Sequence, residues 1–321
     1  MLRPVILGVA VLALACGSVR KDEPKDGDNV VLASAGTPTS PAQRDSIRAA
    51  HARTAHVIIV SIDGLRPDAI ARFHATTLER LQREGRYALG ARTIVPSTTI
   101  PSHASMLSGL GLLGHRVLWN DDARPHEPLS APTVFSIAKR AELSTAAFFS
   151  KSKFTQLIPA AALDEEQAPT PARGLWAGDR TVGLASLYLS KASPNLLFVH
   201  LAEPDYAGHK YGWLSDSYGD AVRSADADLS RLLSRADTTF GAGRYTVIVT
   251  ADHGGHGRTH GTARSDDVAI PWIAWGEGVE RGAPLGEGIR TMDTAATALW
   301  LLGVDVPRSM SGRPVTKAFV K

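Results

Sequence analysis

An α/β fold, a doubly wound and mostly parallel sheet flanked by helices, is what the sequence predicts, and three observations predict it. Four nearly continuous apolar runs, Val57 to Ile62, Leu196 to Leu201, Tyr245 to Thr250 and Ala269 to Trp275, have the composition of strands buried on both faces. Helical patterns alternate with them: Pro67 to Glu84 closed by Gly85, Ser215 to Ala236 with Val222, Ala225, Leu229 and Leu232 on one face, and Asp293 to Leu302 closed by Gly303. Residues able to do chemistry follow directly after the apolar runs, where a sheet of this kind carries its site, beyond the carboxyl ends of its strands.

Composition narrows the chemistry. Of 321 residues 44% are hydrophobic and 21% charged, which excludes a disordered or coiled-coil chain. The net charge of +3 is too small to argue for a nucleic-acid-binding surface, and no protein partner is predicted. A single cysteine, Cys16, excludes an intrachain disulfide and a thiolate-rich metal site, so any metal must use histidine and carboxylate.

The amino terminus reads as an export signal. Residues 1–15 have a basic start at Arg3, an apolar run from Val5 to Leu14 and the small residue Ala15, too short a run to span a bilayer. Leu12-Ala13-Leu14-Ala15-Cys16 resembles a lipobox, which predicts a mature chain beginning at lipidated Cys16. The expectation is an exported bacterial lipoprotein, held at a membrane and facing the periplasm or cell exterior. Residues 16–55, rich in Ser, Thr, Pro, Asp and Lys, read as a flexible tether, and 56–321 as one catalytic domain.

Asp63 ends the first apolar run, Asp205 and His209 follow the second, and Asp252-His253 follow the third. Each alone is more often a cap or a surface residue; together they bring five metal-ligand types to one sheet edge. The loop Gly254-Gly255-His256-Gly257-Arg258-Thr259-His260-Gly261 supplies two further histidines, one or both completing the set. Hard oxygen and imidazole donors without thiolate suit zinc or a related divalent ion, with enough ligands for two. A nucleophile is offered by Pro96-Ser97-Thr98-Thr99-Ile100-Pro101-Ser102-His103, where hydroxyls precede a proline expected at the first position of a helix running to Ser108. Free N–H groups at such a helix start favour an anion, although a plain threonine cap is the commoner use of this pattern.

Ile62-Asp63-Gly64, Thr99-x-Pro-x-His103, Pro204-Asp205-x-x-Gly208-His209 and Asp252-His253-Gly254 with His260-Gly261 resemble, in order, the motifs of the alkaline phosphatase superfamily. They are closest to its nucleotide pyrophosphatase/phosphodiesterase branch, the type I phosphodiesterases, and the resemblance runs from about Val57 to the end of the chain. It implies an alkaline phosphatase-like fold with at most a small cap. It also implies a two-zinc site, one ion on Asp205, His209 and His260 and the other on Asp63, Asp252, His253 and the Thr99 hydroxyl. Asn120 stands where the family places a donor to a phosphoryl oxygen. The reaction implied is hydrolysis of phosphodiesters or pyrophosphates through a phosphothreonine at Thr99.

Departures from the family pattern bear on substrate. Ile100 and His200 stand where the phosphodiesterases tend to place aromatics around a nucleotide base, so base stacking is not expected from them. Trp119, Trp176, Tyr206 and Trp213 are the candidates for a replacement wall. A phosphomonoesterase is the alternative reading and would want a cation on the terminal phosphate, for which Arg66, Arg92, Arg116 and Arg124 are candidates. A sulfatase is disfavoured because threonine cannot become formylglycine. A phosphoethanolamine-type transferase usually carries membrane helices, and a non-catalytic zinc-binding lipoprotein would be marked by a broken ligand set. The neutral Asn120 argues for diesters over dianionic monoesters.

Overall fold

The computed structural model describes residues 40–121, 125–169, 175 and 177–320. The sequence expectations that fall on residues 1–39, among them the export signal and Cys16, and those on Arg124 and Trp176, lie outside the described residues.

Eight strands form one sheet: β1 (Val57–Ile62), β2 (Arg86–Arg92), β3 (Thr145–Phe149), β4 (Glu165–Gln167), β5 (Leu196–Leu201), β6 (Thr246–Thr250), β7 (Ala269–Gly276) and β8 (Ala283–Pro284). Their order is β4-β3-β5-β1-β6-β7-β2-β8. The first five in that order run parallel, while β7 is antiparallel to both β6 and β2. The expected doubly wound, mostly parallel sheet is therefore observed, with one reversed strand. Every residue of β1, β3, β5 and β6 is buried, because helices flank the sheet and leave no solvated face.

The helices are α1 (Pro41–His51), α2 (Pro67–Arg72), α3 (Thr76–Glu84), α4 (Thr99–Ser108), α5 (Leu112–His115), α6 (Val134–Arg140), α7 (Gly178–Leu189), α8 (Glu203–Tyr211), α9 (Asp216–Phe240), α10 (Ser265–Val268) and α11 (Asp293–Leu301). Helices α3 and α7 each pack on α9, and α4, α6 and α11 form a second packed group. Trp272 of β7 ties the sheet to α11 through its indole N–H on the Thr294 hydroxyl, at 3.2 Å.

Three expectations need correction. The helix expected over Pro67 to Glu84 is two helices, broken at His74, whose φ is +54°. The break holds because Asp226 of α9 accepts from the backbone N–H groups of Thr77 and Leu78 and so starts a new helix. Of the flexible tether expected over residues 16–55, the described part carries α1, which opens with a Ser40–Gln43 capping box and a first-turn proline. Arg53 beyond it donates its N–H to Leu301 O and lays its guanidinium 3.6 Å from the Trp300 ring centroid, fixing this segment to α11. Pro101 is the third residue of α4 rather than the first: Thr98 is the N-cap, without a side-chain cap bond, and Thr99 opens the helix.

Candidate active site

Strands β5, β1 and β6 are adjacent and parallel, so their carboxyl ends meet at one edge and deliver Asp205, Asp63 and Asp252 to the same place. Gly64 makes the turn after β1 with φ +71°, and a Cβ there would lie 2.9 Å from the Asp205 Cα. Only glycine permits both the conformation and the approach. Asp205 and His209 stand one turn apart in α8 and share a face. The loop after Asp252-His253 folds back to bring His260 beside them.

Two clusters of ligand atoms result. In one, His209 Nε2 and His260 Nε2 lie 3.4 and 3.5 Å from Asp205 Oδ1, and 3.0 Å from each other. In the other, His253 Nε2 lies 3.4 Å from Asp63 Oδ1 and 3.3 Å from Asp252 Oδ2. His253 is also 4.0 Å from Asp205 Oδ1, so the clusters adjoin. The six carboxylate and imidazole side chains predicted as ligands, Asp63, Asp205, His209, Asp252, His253 and His260, are brought together here. His256 is not: its Nδ1 sits 2.6 Å from Asp267 Oδ1, which braces the loop instead.

The chemistry of the cluster fits divalent cations. Asp63 Oδ1, Asp205 Oδ1, Asp252 Oδ2 and His253 Nε2 are buried and have no hydrogen-bond partner, an expensive condition unless a cation satisfies them. The Nδ1 atoms of His209, His253 and His260 lie against the carbonyl oxygens of Arg258, Gly254 and Ser97 at 3.1, 2.8 and 2.9 Å. Donation there fixes the tautomer and leaves each Nε2 lone pair for a metal. Burial pushes the His260 imidazole down to about 4, so it is a neutral ligand at ordinary pH.

Two lysines that the sequence reading missed stand in this site. Lys151, just after β3, places Nζ 2.7 Å from Asp63 Oδ2 and 2.6 Å from Asp205 Oδ2. Burial raises the Asp63 carboxyl's pKa, but the Lys151 charge, the His200 hydrogen bond and the nearby imidazoles together outweigh it and hold that carboxyl well below the usual range. Asp252 has no such partner, and burial and then the Asp63 charge push it well above that range. Lys153 donates to Asn120 at both the backbone O (3.2 Å) and Oδ1 (3.1 Å). Burial and the nearby Lys151 charge lower its ammonium to about 8. The signal available in the sequence was their place directly after a strand, but that strand, Thr-Ala-Ala-Phe-Phe, was not recognised.

Thr99 is buried at the amino end of α4, and the next N–H, that of Ile100, donates to Asn120 Oδ1 at 2.9 Å. With Ile100 and Lys153 both donating to it, this atom is the amide oxygen, and the Asn120 NH2 group is left to serve a ligand. His103, one turn after Thr99, takes the Thr99 carbonyl on Nδ1 at 2.7 Å and meets Ser61 Oγ on Nε2 at 2.8 Å, which pins α4 to β1.

Ile100 and His200, at the places where the family tends to carry base-facing aromatics, are both fully buried, and His200 donates to Asp63. Of the candidate wall residues, Trp213 is a buried wedge, its indole N–H on Gly64 O and its ring edge-on to His209 and His260. Gly208 and Gly255 leave the room it fills. Trp119 stacks on His126 at 4.2 Å, while Tyr206, half exposed on α8, remains at the rim. Among the arginines expected as a phosphate clamp, Arg66 is committed to Asp68 and the Gly255 carbonyl, and Arg92 and Arg116 are exposed. The cation beside Asn120 is Lys153.

Fold and site together define an alkaline phosphatase-like enzyme, of the class whose members act on phosphoric esters and related substrates. The chain belongs to the type I phosphodiesterase/nucleotide pyrophosphatase family, whose model matches residues 57–262, and that family is metal-dependent. A GPI ethanolamine phosphate transferase 1 from Saccharomyces cerevisiae is 26% identical over 144 residues, 39% of this chain and 16% of that protein. A bis(5'-adenosyl)-triphosphatase from Xenopus laevis is 24% identical over 229 residues, 63% of this chain and 47% of that one. The chain thus spans less than half the length of either relative. Murine ectonucleotide pyrophosphatase/phosphodiesterase 5, solved as an inactive variant with AMP, superposes with a TM-score of 0.69 at 15% identity, covering 83% of this chain and 100% of that one.

Proposed function

We propose that the protein is a metal-dependent phosphodiesterase or pyrophosphatase that hydrolyses its ester through a phosphothreonine at Thr99. The observation that carries this reading is the set of buried, unpartnered ligand atoms on Asp63, Asp205, Asp252 and His253, in a chain that also buries Thr99 at the start of a helix pinned to β1 by His103. Asp205, His209 and His260 would hold one divalent ion and Asp63, Asp252 and His253 the other, with zinc favoured by the nitrogen and oxygen donors. Such ions supply Lewis-acid charge, lowering the pKa of a hydroxyl and neutralising phosphoryl oxygens.

The residues of the chain divide the remaining work. Thr99 Oγ1 attacks phosphorus in line; the new Oγ–P bond forms as the bond to the leaving oxygen breaks, and the threonine proton ends on the departing group. Water then cleaves the phosphothreonine and restores the hydroxyl. The Asn120 amide donates to a nonbridging oxygen in both steps, while its own oxygen is held by Ile100 N–H, so the donor is pre-aimed. The N-terminal N–H groups of α4 favour the same charge. The buried wedge of Trp213 keeps His209 and His260 in their ligand orientation.

The test is zinc content together with turnover of bis(p-nitrophenyl) phosphate, and trapping of phosphate on Thr99 by acid quench and peptide mass spectrometry. Zinc-free protein with full turnover, or turnover without labelled Thr99, overturns the reading. Anchoring through acylated Cys16, and with it an envelope location for the activity, is part of the proposal and rests on the lipobox-like sequence alone. Mass spectrometry of the mature amino-terminal peptide decides it, since an unmodified terminus at another residue removes the anchor.

A further inference from the structure

We infer that Lys153 makes this site a phosphomonoesterase as well: it is the cation that meets the extra negative charge of a terminal phosphoryl group. The inference rests on the site assigned above and names a second substrate class for it. Asn120 joins Lys153 to the start of the nucleophile's helix. Its Oδ1 accepts from Ile100 N–H, the residue after Thr99, and from Lys153 Nζ at 3.1 Å, so two hydrogen bonds link the ammonium to the residue that follows the nucleophile.

Among the described residues the ammonium has no carboxylate counterion. Lys151 beside it is neutralised by two carboxylates at 2.6 and 2.7 Å, whereas Lys153 donates to two uncharged oxygens of Asn120. Those two contacts use two of its three N–H groups, and the third remains for a ligand. A partly buried cation with neutral partners is costly unless an anion completes it. Among the described residues no ion pair of Lys153 with a carboxylate is found; of the arginines expected for this duty, Arg66 is committed to Asp68 and the Gly255 carbonyl, and Arg92 and Arg116 are exposed.

The stereochemistry selects the substrate. During in-line transfer three equatorial oxygens surround phosphorus. In a diester one of them carries a second alkyl or aryl group, and only two are charged acceptors; in a monoester all three are free and the group is a dianion. Asn120 offers a neutral donor to one oxygen, and Lys153, held against Asn120, offers a charged donor to its neighbour. The reaction is balanced by water alone: the Thr99 oxygen bonds to phosphorus, the ester oxygen leaves with the threonine proton, and water returns Thr99 and inorganic phosphate.

The experiment compares zinc-loaded wild type, Lys153→Met and Lys153→Arg. The kcat/KM for p-nitrophenyl phosphate is taken relative to that for bis(p-nitrophenyl) phosphate, and inorganic phosphate is titrated calorimetrically as a probe independent of turnover. The expected result is a monoester-to-diester ratio at least tenfold lower in Lys153→Met, phosphate bound about tenfold more weakly, and both largely restored in Lys153→Arg. An unchanged ratio, or unchanged phosphate affinity, overturns the inference. Wild type that hydrolyses neither ester defeats the functional reading beneath it, while the phosphate titration still decides whether Lys153 meets the anion.

Discussion

His200 Nε2 on β5 lies 2.9 Å from Asp63 Oδ2, just past the end of the neighbouring β1, and both side chains are fully buried. This bond leaves Asp63 Oδ1, which has no hydrogen-bond partner, turned toward His253. A donor behind a carboxylate fixes its rotamer and hence the ligand direction, and loss of such a partner typically costs 10–100-fold in metal affinity. His200→Leu keeps the volume and removes the donor. Competition with a zinc chelator should show the ion held by Asp63, Asp252 and His253 weakened by about that factor, with the His209 and His260 ion nearly unaffected. Equal affinities in wild type and variant would show that Lys151 alone orients Asp63.

Thr98 and Thr99 separate cleanly in the structure. Thr98 is the N-cap of α4 yet makes no side-chain cap bond, whereas Thr99 is buried one residue before the N–H that binds Asn120. Thr99→Ala should retain both metal equivalents and lose turnover by several orders of magnitude, because removing a covalent nucleophile removes a step that binding cannot replace. Thr98→Ala should cost less than about tenfold in turnover. Parallel kinetics and metal analysis check this, and equal losses in the two variants would refute the choice of nucleophile.

What could be read from the chain was whatever depends on local pattern. Asp63, Asp205 and Asp252 were legible because each follows, within four residues, a nearly continuous apolar run with the composition of a buried strand. Lys151 and Lys153 follow a strand too, but Thr145–Phe149 is five residues with two alanines, and nothing local distinguishes it from a helix turn. The break at His74 depends on Asp226, a capping partner 149 residues from Thr77 in sequence, which no local window contains. The roles of His200 and Trp213 were hidden for the same reason. Whether a buried ring is a wall, a wedge or an orienting donor depends on which strand lies beside it.

His260 and His256 occupy one glycine-rich loop and have different employment. His260 Nε2 is 3.5 Å from Asp205 Oδ1, while His256 is bound to Asp267, whose other oxygen accepts from the Thr262 N–H and hydroxyl. His260→Ala should deplete the ion held with Asp205 and His209 and spare the one held by Asp63. His256→Ala should leave both ions in place and show its cost in stability, about 1 kcal/mol for a charge-assisted bond in a partly exposed loop. Zinc stoichiometry and urea unfolding read the two effects separately. A lost metal equivalent in His256→Ala with both retained in His260→Ala would reverse the assignment.

His115 offers a pH test away from the metal ligands. Its Nδ1 accepts from the Val117 N–H at 3.0 Å, and Nε2 meets Ser105 Oγ at 2.9 Å, an arrangement that suits the neutral ring. Burial lowers this imidazole from the ordinary 6.5 to about 4. Between those values the unfolded chain takes up a proton that the native chain refuses, because protonated Nδ1 would face the Val117 N–H. Stability from this group is therefore complete above pH 6.5 and falls as the pH drops toward 4. His115→Asn keeps an acceptor near the Nδ1 position and cannot titrate. Relative to the variant, wild type should lose an additional 1–2 kcal/mol, roughly, between pH 7 and 4.5, a figure reduced for partial solvent screening. Denaturant unfolding at the two pH values measures it, and the metal ligands, common to both proteins, cancel in the difference. Identical pH dependence would mean that the ring is protonated in the native state and that Val117 has found another acceptor.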